Sequence, residues 1–143
     1  MDYTSKYKKI YLIEDDNIDI MVFKRAMKQL NVSAEIKVFS NGEEYLDFMK
    51  ENNVSCDIMF LDLNTPRMNG LELLKILSAN RGNNFFPIII LSSSDEGNDV
   101  STAYRLMANG YIMKSISFNN FVDHLDIVLK YWNIVKLPIK EQK

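Results

Sequence analysis

Four short apolar runs constrain what this chain can fold into: Ile10-Tyr11-Leu12-Ile13, Ile58-Met59-Phe60-Leu61, Ile88-Ile89-Ile90-Leu91 and Tyr111-Ile112-Met113. Each is too short for a helix, and the first three are apolar at consecutive positions. Strands covered on both faces, as in a parallel sheet, read this way. The segment Ala34-Glu35-Ile36-Lys37-Val38 instead alternates apolar and polar residues. That pattern predicts a half-exposed edge strand, the second in sequence.

Segments with helical spacing separate the strands. Ile18, Val22, Ala26 and Leu30 form one apolar stripe, opened by Asp16 or Asn17 as the cap. Asp19 falls early in that helix and Lys24, Arg25 and Lys28 fall later, the order the helix dipole favours. Tyr45, Phe48 and Met49 mark a second helix, and Leu71, Leu74 and Leu77 a third after Gly70. Val100, Ala103, Tyr104 and Met107 mark a fourth, closed by Asn109-Gly110. Phe121, Val122, Leu125, Val128, Leu129 and Trp132 mark a fifth, capped by Ser117. Strand then helix, five times over, implies an α/β fold with a parallel sheet and helices on both faces.

At 143 residues the chain has the length of one domain, read as residues 1–133. A tail over 134–143, with Pro138 and three lysines, is expected to fray. The net charge of -2 gives no general attraction to nucleic acid or anionic lipid. Cys56 is the sole cysteine, so no intramolecular disulfide forms, and it has no His or Cys at metal-ligand spacing. No apolar run approaches the ~20 residues that span a membrane. Residues 1–9 are polar and charged, unlike a signal peptide. The expected location is the cytoplasm, with neither nucleic acid nor membrane as partner.

In open α/β sheets, ligands bind beyond the carboxyl ends of the strands, where strand order reverses. Those ends carry Glu14, Asp15 and Asp16 after the first strand and Asp62, Leu63, Asn64, Thr65 and Pro66 after the third. Ser92, Ser93 and Ser94 follow the fourth strand, and Lys114 follows the fifth. If strands one and three are neighbours, Glu14, Asp15 and Asp62 converge. Like charges ~4 Å apart at an effective dielectric of ~20 repel by about 4 kcal/mol, so such a pocket takes up a proton or a cation. Hard oxygen donors that leave room for water and phosphate oxygens describe a magnesium site, open also to manganese. Asp62 is then set to attack phosphorus and form an aspartyl phosphate. Phosphoryl transfer asks mainly for positioning and charge stabilisation, which the ion, Lys114 and the Ser92 hydroxyl would supply. Asp16 reads as a helix cap, His124 as an exposed side chain and Cys56 as inert.

Leu12-Ile13-Glu14-Asp15-Asp16, Leu61-Asp62-Leu63-Asn64-Thr65-Pro66-Arg67-Met68-Asn69-Gly70, Leu91-Ser92-Ser93-Ser94 and Gly110-Tyr111-Ile112-Met113-Lys114 occur in this order, each at a strand end. The set resembles the response-regulator receiver domain of bacterial two-component signalling, of the single-domain type, from residue 9 to about 132. The resemblance implies a flavodoxin-like (βα)5 doubly wound sheet of strand order 2-1-3-4-5. By match of motif, Asp62 would be the phosphoacceptor, Asp15 a direct metal ligand and Glu14 a ligand through water. Asn64 would offer its backbone carbonyl to the same ion. Ser92 takes the place of the family's switch hydroxyl, Tyr111 that of its switch aromatic and Lys114 that of its lysine.

A histidine kinase would be the phosphodonor. The surface of the fourth helix, fifth strand and fifth helix would then be read by a protein target. Alternatively, a histidine phosphotransfer protein would carry the phosphoryl group onward, making the chain a phosphorelay intermediate. Such a chain catalyses only its own phosphorylation and dephosphorylation. One departure from the pattern is Ser115, where the family usually has proline. A cis bond before a non-proline residue costs about 2.5–4 kcal/mol, so Lys114–Ser115 is expected to be trans. Tyr111 has a plainer reading as a packing residue of the last strand. A rival of another class is a phosphatase of haloacid-dehalogenase type. Those enzymes carry a second Asp two residues after the nucleophile, where this chain has Asn64.

Overall fold

Strands and helices alternate along the described residues: β1 (Lys9–Ile13), α1 (Asn17–Gln29), β2 (Glu35–Phe39), α2 (Gly42–Asn52), β3 (Ile58–Asp62), α3 (Gly70–Ala79), β4 (Ile88–Ser92), α4 (Gly97–Arg105), β5 (Gly110–Met113) and α5 (Phe118–Ile134). This is a computed structural model, and it describes residues 6–80, 85–93, 97–114 and 117–138. The strands form one parallel sheet in the order β2-β1-β3-β4-β5, as the resemblance implied. The alternating segment forms the edge strand β2, the first three apolar runs form the interior strands β1, β3 and β4, and the fourth forms the other edge, β5.

The strands feed two cores because their side chains alternate between faces. Ile10 and Leu12 of β1, Ile58 and Phe60 of β3, Ile89 and Leu91 of β4 and Ile112 of β5 pack under α1 and α5. Tyr11, Ile13, Met59, Leu61, Ile88 and Ile90 point the other way, toward α2, α3 and α4. The ring of Phe23 on α1 meets that of Phe60 edge-on at 5.0 Å. On the opposite face Tyr11, Phe39, Tyr45 and Phe48 form a cluster of rings. Cys56 is buried beside it, and burial pushes its thiol pKa up.

Helix ends follow the sequence signals in most places. Asp16 caps α1 by accepting from the amides of Ile18 and Asp19, and Ser117 caps α5 by accepting from that of Asn120. Asn69 and Glu72 form a capping box on α3. Two apolar stripes differ from their spacing. In α1 the fully covered residues are Phe23, Ala26 and Met27, while Ile18 is 66% exposed. Ile18 sits in the first turn of the helix. In α4 only Ala103 is buried; Tyr104 and Met107 face solvent. This helix stops at Arg105, and Met107 adopts a left-handed backbone (φ 74°), so Asn109-Gly110 is not its end. Gly110 opens β5, and the Asn109 side chain accepts from the Ile88 amide. Ser94, the Lys114–Ser115 bond and the tail from residue 139 lie outside the described residues.

The segment before β1 is tied to the end of α5. The Tyr7 hydroxyl donates to the Leu129 carbonyl at 2.5 Å. The Lys6 ammonium donates to the carbonyls of Trp132 and Asn133, in a last turn that has no basic residue of its own.

Candidate functional site

The register of β1 against β3 pairs Leu12 with Phe60 and Ile13 with Leu61, so Glu14 and Asp62 emerge side by side past the apolar rows. Both continue the rows that face α1 and α5. So does Lys114, two residues beyond Ile112. Period-two alternation therefore delivers all three to one side of the sheet.

Glu14 is 2% exposed and held from three directions. Its backbone amide donates to the Phe39 carbonyl (2.9 Å), its Oε2 accepts from the Asp15 and Asp16 amides (3.1 and 3.2 Å), and its Oε1 accepts from Lys114 Nζ (2.5 Å). Asp62 is also buried. Its Oδ1 accepts from the Asn64 amide at 3.2 Å, and its Oδ2 lies 3.3 Å from Lys114 Nζ. A third carboxylate reaches the same ammonium: Asp19 Oδ2, at 2.9 Å. Asp15 is exposed at the mouth. Among the described residues, Glu14, Asp15 and Asp62 each offer a carboxylate oxygen, all within 4.8 Å of one another.

The loop from β3 to α3 presses against Asp62. The Gly70 amide donates to the Leu63 carbonyl, and a Cβ at Gly70 would stand 2.5 Å from the Asp62 carbonyl oxygen. The buried hydroxyl of Thr65 closes the loop onto the Met68 carbonyl. Arg67 adopts a left-handed backbone (φ 64°) and pairs with Glu43 of α2.

The Lys114 ammonium faces both buried carboxylates, Glu14 and Asp62. Burial raises the Glu14 carboxyl from 4.5 to about 7, assisted by the neighbouring Asp62 charge and opposed by Lys114. Burial alone would lower the Lys114 ammonium, but hydrogen bonds to Glu14 and Asp19 and the charge of Asp62 outweigh it and hold the ammonium up.

The expected residues do not all line this pocket. Its walls are Glu14, Asp15, Asp16, Asp19, Asp62, Asn64, Ser93 and Lys114, around about 390 Å³. Ser92 is fully buried, and its carbonyl accepts from the Lys114 amide at 2.8 Å. It continues the Ile88 and Ile90 row of β4, on the sheet face opposite Asp62, whereas Ser93 continues the Leu91 row. Tyr111 is half-buried against the α2–α4 side, in register with Ile90. Asp16, read from the sequence as a helix cap, also lines the pocket, and Asp19 lines it without having been placed at any strand end. Its one signal was an acidic residue in the first turn of a helix that leaves the acidic strand end.

Residues 10–126 match the model of the response regulator receiver domain. The chain belongs to this family. Response regulator Rcp1 of Synechocystis is 26% identical to it over 143 residues, spanning 96% of this chain and 97% of that protein. The probable methanogenesis regulatory protein FilR2 of Methanothrix harundinacea is 26% identical over 127 residues, covering 86% of this chain and 82% of that one. The phosphorylated cyanobacterial phytochrome response regulator RcpA superposes with a TM-score of 0.82 at 27% identity, over 93% of this chain and 99% of that chain. The Mn(2+)-bound form of Rcp1 gives 0.79 at 26% identity, over 92% and 99%.

The receiver domain is a signalling module, and its family binds a divalent metal at an acidic pocket and interacts with histidine kinases. The residues present here fit such an ion: three hard carboxylates converge, two of them buried, and the Lys114 ammonium beside Glu14 and Asp62 supplies the only positive charge among the lining groups. No helix among the described residues is long and apolar enough to cross a membrane.

Proposed function

We propose that this receiver domain accepts a phosphoryl group on Asp62 from the phosphohistidine of a histidine kinase. The observation that carries the reading is the convergence of Glu14, Asp15 and Asp62 around one point, with the Lys114 ammonium 3.3 Å from Asp62. An Asp62 oxygen attacks phosphorus, and the P–N bond to the donor imidazole breaks. The nitrogen keeps the electron pair and takes a proton from solvent. Glu14, Asp15, Asp62 and the Asn64 carbonyl would hold magnesium, or manganese in its place. The ion supplies charge neutralisation for the entering phosphoryl oxygens. Lys114 meets a second oxygen of that group. The relatives captured phosphorylated and with Mn(2+) support this chemistry for a chain of similar length and fold.

The Ser92 hydroxyl, outside the pocket lining in this state, would enter it on phosphorylation, and Tyr111 would follow inward from the opposite face. The movement biases the surface of α4, β5 and α5 between two states that a protein partner discriminates. Exposed apolar side chains on that surface, Tyr104, Met107, Ile127 and Tyr131, suit such a partner. Asn64 stands where a phosphatase of haloacid-dehalogenase type needs a carboxylic acid, so the phosphoryl group leaves by hydrolysis or by passage to a histidine phosphotransfer protein. The setting is the cytoplasm.

The test is incubation with magnesium and acetyl phosphate, followed by intact mass measurement. One labile phosphate on the wild type and none on Asp62→Asn is the expected result. No adduct on the wild type, or an equal adduct on the variant, overturns the reading.

A further inference from the structure

Lys114 is held by charges more than by packing. Its side chain borders a cavity of about 310 Å³ between α1 and α5, walled by Leu12, Phe23, Phe118 and Phe121 among others, so the ammonium has room to withdraw from Asp62. Among the described residues, three carboxylates hold Nζ: Glu14 at 2.5 Å, Asp19 at 2.9 Å and Asp62 at 3.3 Å. Glu14 and Asp62 belong, with Asp15, to the convergent group of oxygens that suits a cation; Asp19 does not. A cation bound there competes with Lys114 for two of its three partners. Asp19 is the partner it leaves.

Asp19 is well placed to keep that contact. It is the third residue of α1, and its amide and that of Ile18 are both fixed by the Asp16 cap. Its side chain is 38% exposed, so it stands at the rim while Glu14 lies at the floor, and Lys114 bridges the two.

We propose that Asp19 is a positioning residue for the phosphorylation of Asp62, the anchor that keeps the Lys114 ammonium over the pocket when a cation engages the other carboxylates. This inference rests on the reading that Asp62 is the acceptor. Its test needs two variants of the full chain. Asp19→Asn keeps the size and removes the charge, and Asp19→Glu keeps the charge on a longer arm.

With magnesium in excess, Asp19→Asn is expected to take up phosphate from acetyl phosphate about ten-fold more slowly than the wild type. Asp19→Glu should recover to within about three-fold, and magnesium affinity in both should stay within about three-fold of the wild type, since Asp19 lies outside the ligand group. A second readout needs no phosphorylation. The Lys114 ammonium resonance in lysine-labelled protein should remain visible with magnesium in the wild type and Asp19→Glu, and be lost to fast exchange in Asp19→Asn. Three results overturn the proposal: Asp19→Asn at the wild-type rate with its ammonium signal intact, Asp19→Glu no faster than Asp19→Asn, or a magnesium affinity that falls as far as the rate. A wild type that takes up no phosphate overturns the acceptor reading instead, and the ammonium resonance then judges Asp19 alone.

Discussion

The ammonium of Lys114 and the carboxylate of Glu14 meet at 2.5 Å across 100 residues of chain, on a glutamate that is 2% exposed. This contact links three properties of the molecule. It neutralises the floor of the acidic pocket, it joins the end of β5 to the end of β1, and it competes with any cation for the same oxygen.

The first consequence is a pH dependence. The Glu14 carboxyl is raised from 4.5 to about 7, so across that window the folded chain keeps a proton that the unfolded chain has released. Its contribution to stability is full below pH 4.5 and is lost as pH rises through about 7. Cation binding needs the carboxylate and runs the opposite way, strengthening with pH up to about 7 and levelling beyond it. Calorimetric magnesium titrations across about pH 5 to 8 should show this rise, and Glu14→Gln should bind more weakly with a flat profile.

Lys114→Met removes the counter-charge from three carboxylates. Breaking such a largely buried pair is expected to lower the unfolding free energy by about 3 kcal/mol in the presence of a chelator. Added magnesium should restore more stability to this variant than it adds to the wild type, because the ion no longer competes with an ammonium. Urea denaturation with and without magnesium measures both effects. Equal gains in the two proteins would remove the argument for competition.

Gly70→Ala places a Cβ 2.5 Å from the Asp62 carbonyl oxygen and 2.7 Å from the Leu63 Cα, both backbone atoms that cannot step aside alone. A loss of about 2 kcal/mol or more is expected, with slower phosphate uptake as the loop behind Asp62 shifts. Gly97→Ala is the control. A Cβ there meets nothing within 4 Å, and the change should stabilise the chain by about 0.5 kcal/mol.

Tyr7→Phe removes the hydroxyl that donates to the Leu129 carbonyl, from a side chain that is 3% exposed. About 1–2 kcal/mol should be lost in urea denaturation. Lys6→Ala, whose contacts to the end of α5 are exposed, should cost less than about 0.5 kcal/mol. Equal losses would mean that the terminal charge, rather than the buried hydroxyl, secures α5.

Most of the architecture was legible from the chain because it rests on local patterns. Runs such as Ile88-Ile89-Ile90-Leu91 have no polar face, so they become interior strands, and Glu35-Ile36-Lys37 has one, so it becomes an edge. Asp16, Asn69 and Ser117 cap helices by bonds that reach only two or three residues ahead. Helix stripes were less legible. Ile18, Tyr104 and Met107 have core-like spacing, yet stay exposed: Ile18 in the first turn of α1, Tyr104 in the last turn of α4 and Met107 beyond its end.

The acidic strand ends, the lysine after the last strand and the order of the elements were determined by the sequence alone, since each is a property of a few neighbouring residues. Tertiary structure decided which of these groups meet. A strand turns its side chains over every residue, so Ser93 rather than Ser92 lines the pocket only because β3 and β4 pair Asp62 with Leu91. Asp19 reaches Lys114 across 95 residues, a contact that no local spacing encodes. It exists because α1 starts at the β1 exit, on the sheet face toward which β5 also points Lys114.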